Sequence, residues 1–395
     1  MKLQVLHLLH HYLPLRENWL FHLISNLPET TSFVGAGRFI RDDPLFFQPG
    51  LLLLRRPVKD FLVRKGLPES RLGWRLTRLV DRLYRFRLER YARRADVVHS
   101  HFADLGWSHH RWIRRLRKPH VISYYGYDYP FRPSGQGDAD AALRALINAA
   151  DLFLCEGGFG RQRLIGWGFP AEKVHVQHLG VDTSRIPIHP RRKLAGELNL
   201  VQAAGFVEKK GHQYTIAAFV EALAECPNMT LTLVGPNPIG LREKLIAQMP
   251  APVRERVCFP DPIPASQIHE FLKDFQVFIH PSCHTAQGDS EGGAPVVLLD
   301  AQATGLPIIS TRHCDIPEEV LDRKTGLLAD EKDTTELARY IRRFYFMGQA
   351  EYDAFARAAV EHVRSEYDVR QTAAHLVGEY RDLLRKAEEN VKREV

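Results

Sequence analysis

Glu291 and Asp300 bracket a Gly-Gly-Ala-Pro turn in EGGAPVVLLDAQATGLPIIS (residues 291–310), and a second Gly-x-Pro with an apolar run follows at once. The preceding FQVFIHPS reads as a strand and CHTAQGDSEGGA as a polar loop. Pro295 stands where a first helical turn begins, PVVLLDAQAT continues it, and Gly305 ends it. The turn Gly292-Gly293-Ala294-Pro295 would then present backbone N–H groups from a helix start, an anion site suited to a phosphate or diphosphate. Two carboxylates around such a cradle are wrong for binding phosphate alone. They suit hydroxyls on either side of it, and a sugar nucleotide has that layout: ribose hydroxyls, diphosphate, sugar hydroxyls. Glu291 taken alone is equally well a solvated loop acid, whereas Asp300 on an otherwise apolar helix is hard to explain as surface.

Such residues need strands and turns to hold them, and both halves of the chain alternate strands with helices. KLQVLHLL, TSFVGAG, ADVVHSHF, HVISYYG, DLFLCEG and KVHVQHLG are short apolar runs in the first half; LNLVQAAGF, MTLTLVGP, RVCFP, FQVFIHPS and PIIST repeat the pattern in the second. Two doubly wound parallel sheets follow from this, with functional loops expected after strand ends. VDTSRIPIHPRRKLAGE, with Pro187 and Pro190, reads as the linker, and a long helix closes the chain from about Asp368. The expected division is 1–188, 189–367 and 368–395.

The chain has 395 residues, enough for two domains with their own cores. No run approaches the ~18 apolar residues of a membrane span; Leu51–Leu54 is only four. MKLQVLHLLHHYLPL is interrupted by His7, His10 and His11 and reads as a first buried strand rather than a signal peptide. Five scattered cysteines without a C-x-x-C pair fit a reducing compartment, so a cytoplasmic location is expected. Residues 1–190 hold 29 Lys and Arg against 17 Asp and Glu, a net of +12, and the rest holds 25 against 30, a net of −5. RLGWRLTRLVDRLYRFRLERYARR places Leu72, Leu76, Leu79, Val80 and Leu83 at helical spacing among arginines. Either its leucines face the core or the helix meets an anionic membrane surface. No nucleic-acid module accompanies the charge.

Read with GFVEKKGHQYTIAAFVEAL, LTLVGPNP, HLGVDTSRI and ADLFLCEGGFGRQRLIGWGFPAEKVHV, the opening stretch resembles the retaining glycosyltransferases of family 4. The resemblance covers nearly the whole chain and is loosest over residues 40–95. It implies a GT-B fold: two Rossmann-like domains facing a cleft, with a C-terminal helix packing back toward the first. The nearest look-alikes build surface polysaccharides and exopolysaccharides on lipid-linked acceptors at the inner membrane face, which would account for the basic first half. By resemblance, Asp300 would accept ribose hydroxyls and Glu291 would hold donor-sugar hydroxyls near the developing oxocarbenium charge. Lys210 would neutralise the diphosphate, and Gly235 would lie in the donor site. No metal and no cofactor beyond a UDP- or GDP-linked donor is implied.

Three departures from the family stand out. Eight residues separate Glu291 from Asp300 where the family has seven, and the second acid is the shorter Asp. AAGFVEKKG lacks the arginine usual before its valine; Arg312 is the proposed substitute. Tyr125 in SYYGYD stands where a histidine is common, leaving Tyr125 and Asp128 as candidates for orienting an acceptor hydroxyl. Asp138 and Asp140 resemble a metal-binding D-x-D but read as a helix cap. The dipeptides Cys283-His284 and His313-Cys314 match no zinc module and read as loop residues near the donor site. The expected function is a metal-independent retaining glycosyltransferase that moves a sugar from a nucleotide-diphosphate donor to a glycan or lipid-linked acceptor. A non-catalytic relative that binds a sugar nucleotide or a partner enzyme is the alternative, and a sugar-nucleotide epimerase of the same fold a third.

Overall fold

The structure, a computed structural model, describes residues 2–12, 18–39, 51–54, 71–129 and 139–394. The chain divides into two compact units: Met1–Glu156 with Arg161–His178 and Arg370–Val395, and Gly157–Gly160 with Leu179–Val369.

In the first unit, seven described strands form one parallel sheet: β1 (Leu3–Tyr12), β2 (Thr30–Phe39), β3 (Leu51–Leu54), β4 (Val97–His101), β5 (His120–Ser123), β6 (Leu152–Cys155) and β7 (Val174–Val176). Their order is β3-β2-β1-β4-β5-β6-β7. The second unit holds β8 (Leu198–Ala203), β9 (Met229–Val234), β10 (Val257–Cys258), β11 (Val277–His280), β12 (Ile308–Thr311) and β13 (Gly326–Ala329). Their order is β10-β9-β8-β11-β12-β13, again parallel. Each unit thus winds outward from its first strand and then returns to that strand's other side, which puts a reversal between β1 and β4 and another between β8 and β11. Ligands of open α/β sheets bind outside the strand ends at such a reversal.

The central strands β4, β5, β6, β11 and β12 are buried along their whole length, as apolar runs covered by helices on both faces must be. Helix His212–Leu223 buries Ile216, Ala218, Phe219 and Ala222 against the sheet at β9 and β11. Each fully buried Phe, Ile or Leu contributes roughly 1.5–3 kcal/mol. Two strands lie beyond those named from the sequence: β3, whose four leucines count above only as a run too short to span a membrane, and β13, the GLLA run. Both are edge strands, and so short that no periodicity marks them.

The arginine-rich segment is a helix, Arg71–Arg94, but Leu76, Leu79 and Leu83 do not face the core. Leu76, Leu79, Leu83 and Phe86 are 40%, 53%, 60% and 69% exposed, while Tyr84, Leu88 and Ala92 make the packing contact. Helix Val369–Glu394 returns to the first unit, where Tyr380 is fully buried and Glu379 lies 2.6 Å from His175 Nδ1. Among the described residues, no helix is long and apolar enough to cross a membrane.

Candidate active site

Lys210 and Glu291 meet at the β8/β11 reversal. After β8 the chain turns through Glu208–Lys210 into Gly211, which has φ +71° and opens helix His212–Leu223. A Cβ on Gly211 would lie 1.9 Å from the carbonyl oxygen of Pro281, just beyond β11, so only glycine lets these strand ends approach so closely. Gly235 does the same after β9, where a Cβ would fall 1.9 Å from Ala204 O. Gln202 donates from Nε2 to Lys210 O (2.6 Å) and accepts from Thr215 Oγ1 (2.7 Å), fixing the turn from beneath.

From this turn Lys210 Nζ donates to Glu291 Oε2 at 2.7 Å, while Ser282 Oγ donates to Oε1 at 2.8 Å and His280 Nε2 lies 3.7 Å away. The Glu291 side chain is 8% exposed and that of Lys210 21%. Burial opposes ionisation of Glu291, but Lys210 and His280 outweigh it and hold the carboxyl well below its usual range. Removing one member of such a pair leaves a buried charge uncompensated, at a cost of about 3–5 kcal/mol.

The helix carrying Asp300 begins at Val297, two residues later than Pro295, and Gly305 (φ +82°) follows its end. Asp300 lies in its first turn, with Oδ1 2.8 Å from His269 Nε2. Gly292 turns the chain with φ +78°; Gly293 is buried and its carbonyl accepts from Asp315 N (3.3 Å), and Ala294 and Pro295 are half-buried. Arg312 donates to Asp322 Oδ2 at 3.0 Å and Asp330 Oδ1 at 3.3 Å, so contact with a diphosphate would require it to leave these carboxylates.

In the first unit, Tyr125 and Asp128 follow β5. Tyr125 is buried, its hydroxyl 2.7 Å from His101 Nδ1, and its own N–H donates to Asp128 Oδ2 at 3.1 Å across the Gly126–Asp128 turn. His101 belongs to a stack at the β1/β4 reversal. The rings of His99 and His101 lie 3.9 Å apart, and His7 Nδ1 is 3.0 Å from His101 Nε2. His99 bonds Tyr380 Oη (2.6 Å) and Ser123 Oγ (2.7 Å). Burial keeps all three imidazoles uncharged, pushing His7 down to about 3 and the other two well below their ordinary value.

Two groups bring possible metal-ligand atoms within 4.8 Å of one another: His7, His99, His101 and His284, His313, Cys314. In the first, hydroxyls or another ring already take the nitrogens of His99 and His101. In the second, His313 Nε2 already accepts the Glu291 N–H at 3.0 Å. Cys283-His284 and His313-Cys314 read from the sequence as loop residues near the donor site; Glu331 joins their two histidines, accepting from His284 N (2.8 Å), His284 Nδ1 (2.8 Å) and His313 Nδ1 (2.6 Å). His269, His280, Ser282, His313 and Glu331 were not singled out for roles at this site. Only His280 and Ser282 left a signal, as polar residues at a strand end. Asp138 lies outside the described residues; helix Ala139–Ile147 starts directly after it.

A parallel sheet reversed at its first strand, twice over, with a lysine–glutamate pair at the second reversal, is the frame of a GT-B glycosyltransferase. The chain belongs to glycosyltransferase family 4. The family profile described as "Glycosyltransferase Family 4" matches residues 47–185, and "Glycosyl transferases group 1" matches 197–346. WcaL of Escherichia coli K12, named as a colanic acid biosynthesis glycosyltransferase, is 29% identical over 281 residues, 70% of this chain and 68% of its own. The amylovoran biosynthesis glycosyltransferase AmsK of Erwinia amylovora is 27% identical over 253 residues, 64% and 58% of the two chains. Among solved structures, Anabaena Alr3699/HepE in complex with UDP-glucose superposes with a TM-score of 0.66 at 18% identity, covering 95% of this chain and 98% of that one.

Proposed function

We propose that this enzyme is a metal-independent, retaining glycosyltransferase that moves a sugar from a UDP- or GDP-linked donor to a glycan or lipid-linked acceptor in polysaccharide biosynthesis. Residues 189–367 take the donor and 1–188 the acceptor, with 368–395 returning to the acceptor domain. The observation that carries this reading is the buried Lys210–Glu291 pair at the β8/β11 reversal. Lys210 neutralises the leaving diphosphate lying along Gly292–Pro295 and beside Gly235, and Glu291 holds sugar hydroxyls next to the positive charge that develops as the bond to the diphosphate breaks. The acceptor oxygen bonds to the same face of the sugar carbon, and its proton passes to the departing phosphate. Asp300 accepts the ribose hydroxyls; Tyr125 and Asp128 orient the acceptor. The names of WcaL and AmsK support the polysaccharide assignment, and the UDP-glucose complex of HepE supports the donor class.

The exposed Leu76, Leu79, Leu83 and Phe86, with Arg75, Arg78, Arg82 and Arg85 on the adjoining face of the same helix, support contact of this helix with an anionic bilayer. Cosedimentation with phosphatidylglycerol vesicles should be lost in Leu79→Ser/Leu83→Ser/Phe86→Ser; unchanged binding removes this contact.

The donor site is tested by thermal shifts of wild type and Asp300→Ala with UDP, GDP, ADP and dTDP. A ligand at ~100 times its Kd should add about 2.7 kcal/mol. A shift for one nucleotide that Asp300→Ala cuts to about half supports the site. No shift with any of them favours the non-catalytic alternative, which draws on the engagement of Arg312 by Asp322 and Asp330. Sugar transfer by the purified chain excludes that alternative.

A further inference from the structure

We infer that Glu331 and His313 are positioning residues that set the Glu291 carboxylate for transfer, an inference resting on the role proposed for Glu291. His313 is fully buried, and its two ring nitrogens point to different partners: Nε2 accepts the Glu291 N–H at 3.0 Å with Cys314 Sγ 3.3 Å from the same nitrogen, and Nδ1 faces Glu331 Oε1 at 2.6 Å. An Nε2 that accepts leaves the ring proton on Nδ1, so Glu331 selects the one uncharged tautomer that can hold the Glu291 amide. The arrangement is that of a carboxylate orienting a working imidazole, except that the imidazole here holds a backbone amide.

Glu331 also accepts from both Nδ1 and the backbone N–H of His284. His284 lies near the start of the loop between β11 and the Asp300 helix, and Glu291 lies near its end, so a single carboxylate ties both ends of the excursion between them. The loop needs such a tie. It runs from Pro281 to Val296 without a regular element, and it turns at Gly292 with φ +78°. Lys209 holds its middle, donating to Asp289 Oδ1 at 3.1 Å and Ser290 O at 2.8 Å. Glu291 can face Lys210 and Ser282 together only while its own amide stays fixed. A displacement of about 1 Å at such a residue can cost ~100-fold in rate. A metal on His284, His313 and Cys314 would have to take the His313 lone pair and release that amide, which opposes the geometry found.

The variants are Glu331→Ala, Glu331→Gln, His313→Asn and His313→Gln. Glutamine places an oxygen where Nε2 stands and can keep the Glu291 amide, whereas asparagine reaches only toward Glu331. Hydrogen exchange needs no substrate: the peptide spanning 284–292 should exchange at least 10-fold faster in Glu331→Ala and His313→Asn, with β8 unchanged and His313→Gln near wild type. With UDP-glucose and GDP-mannose as hydrolysis donors, kcat should fall about 10- to 100-fold in the first two variants and recover in His313→Gln, while the Kd for UDP or GDP stays within threefold. Unchanged exchange across 284–292 would overturn the inference. So would a parallel fall of kcat, nucleotide affinity and melting temperature without recovery in His313→Gln. Absence of nucleotide binding by the wild type strikes the proposed function instead, and the exchange result still decides whether the tie exists.

Discussion

At the β8/β11 reversal, Lys210 and Glu291 form a buried ion pair; at the β1/β4 reversal of the first unit, His7, His99 and His101 form a stack of uncharged rings. The two sheets share the order of their first six strands, with β7 added in the first, so the difference between the reversals lies in what the strand ends carry. A diphosphate leaving group requires fixed charge where charge develops, and a lysine held by a buried carboxylate is preorganised for it. An acceptor hydroxyl brings no charge to its site. Neutral donors and acceptors are enough to orient it, and the Tyr125 hydroxyl, held by His101 and proposed above to face the acceptor, is of that kind. On the proposed function, the shared reversal sets where the chemistry sits and leaves its polarity to a few residues.

The sharpest way to break this contrast is to remove charge from the second reversal. Glu291→Gln keeps the shape and loses the partner of Lys210; donor hydrolysis should fall by 10²–10³-fold, with nucleotide affinity changed little, in steady-state kinetics beside calorimetry. A loss below fivefold would mean that the pair is structural. Next in size is Gly211→Ala. Its methyl would meet Pro281 O from a backbone at φ +71°, so urea denaturation should show a loss of about 2–4 kcal/mol. Because the strain lies where the β8 and β11 ends touch, the first unit should unfold as before; loss in both units would deny that each sheet has its own core. Smaller again is Asp300→Ala. Losing one hydroxyl-binding carboxylate should weaken UDP or GDP about 10-fold by calorimetry, near 1.4 kcal/mol. Equal affinity would take the ribose away from Asp300.

Some of this was legible in the residues and some was not, for physical reasons. Glu291, Lys210 and Asp300 stood in short motifs at strand ends, where chain order alone puts functional loops, and the sheets followed from apolar runs. His313 and Glu331 were illegible because what matters about them is a tautomer and a tie across 40 residues of chain, from Glu291 to Glu331, which no local pattern encodes. Leu76, Leu79 and Leu83 of Arg71–Arg94 left two readings open for the opposite reason. Their spacing is helical, but spacing cannot tell which of two apolar stripes meets the core, and here Tyr84, Leu88 and Ala92 do.

The smallest predicted effect tests the neutral side. His7 is wholly buried and its conjugate acid is pushed down to about 3, against 6.5 for an exposed histidine. Below pH 6.5 the unfolded chain binds a proton there that the native chain refuses until about pH 3, so the native state loses stability as pH falls through that window. Between pH 6 and 5 one such residue accounts for about 1 kcal/mol. The groups facing it are His99 and His101, both with lowered values, so they add to the loss rather than offset it. Glu291 behaves differently: its depressed value stabilises the native state above the ordinary carboxylate range and withdraws that support only as pH drops below about 4.3. His7→Asn keeps a polar atom near Nδ1 for His101 and removes the titration. The plot of unfolding free energy against pH should flatten by one proton between pH 6 and 4 and keep its steeper fall below 4.3. An unchanged slope would mean that the histidine stack is protonated in the native state, and the contrast between a charged and an uncharged reversal would fail.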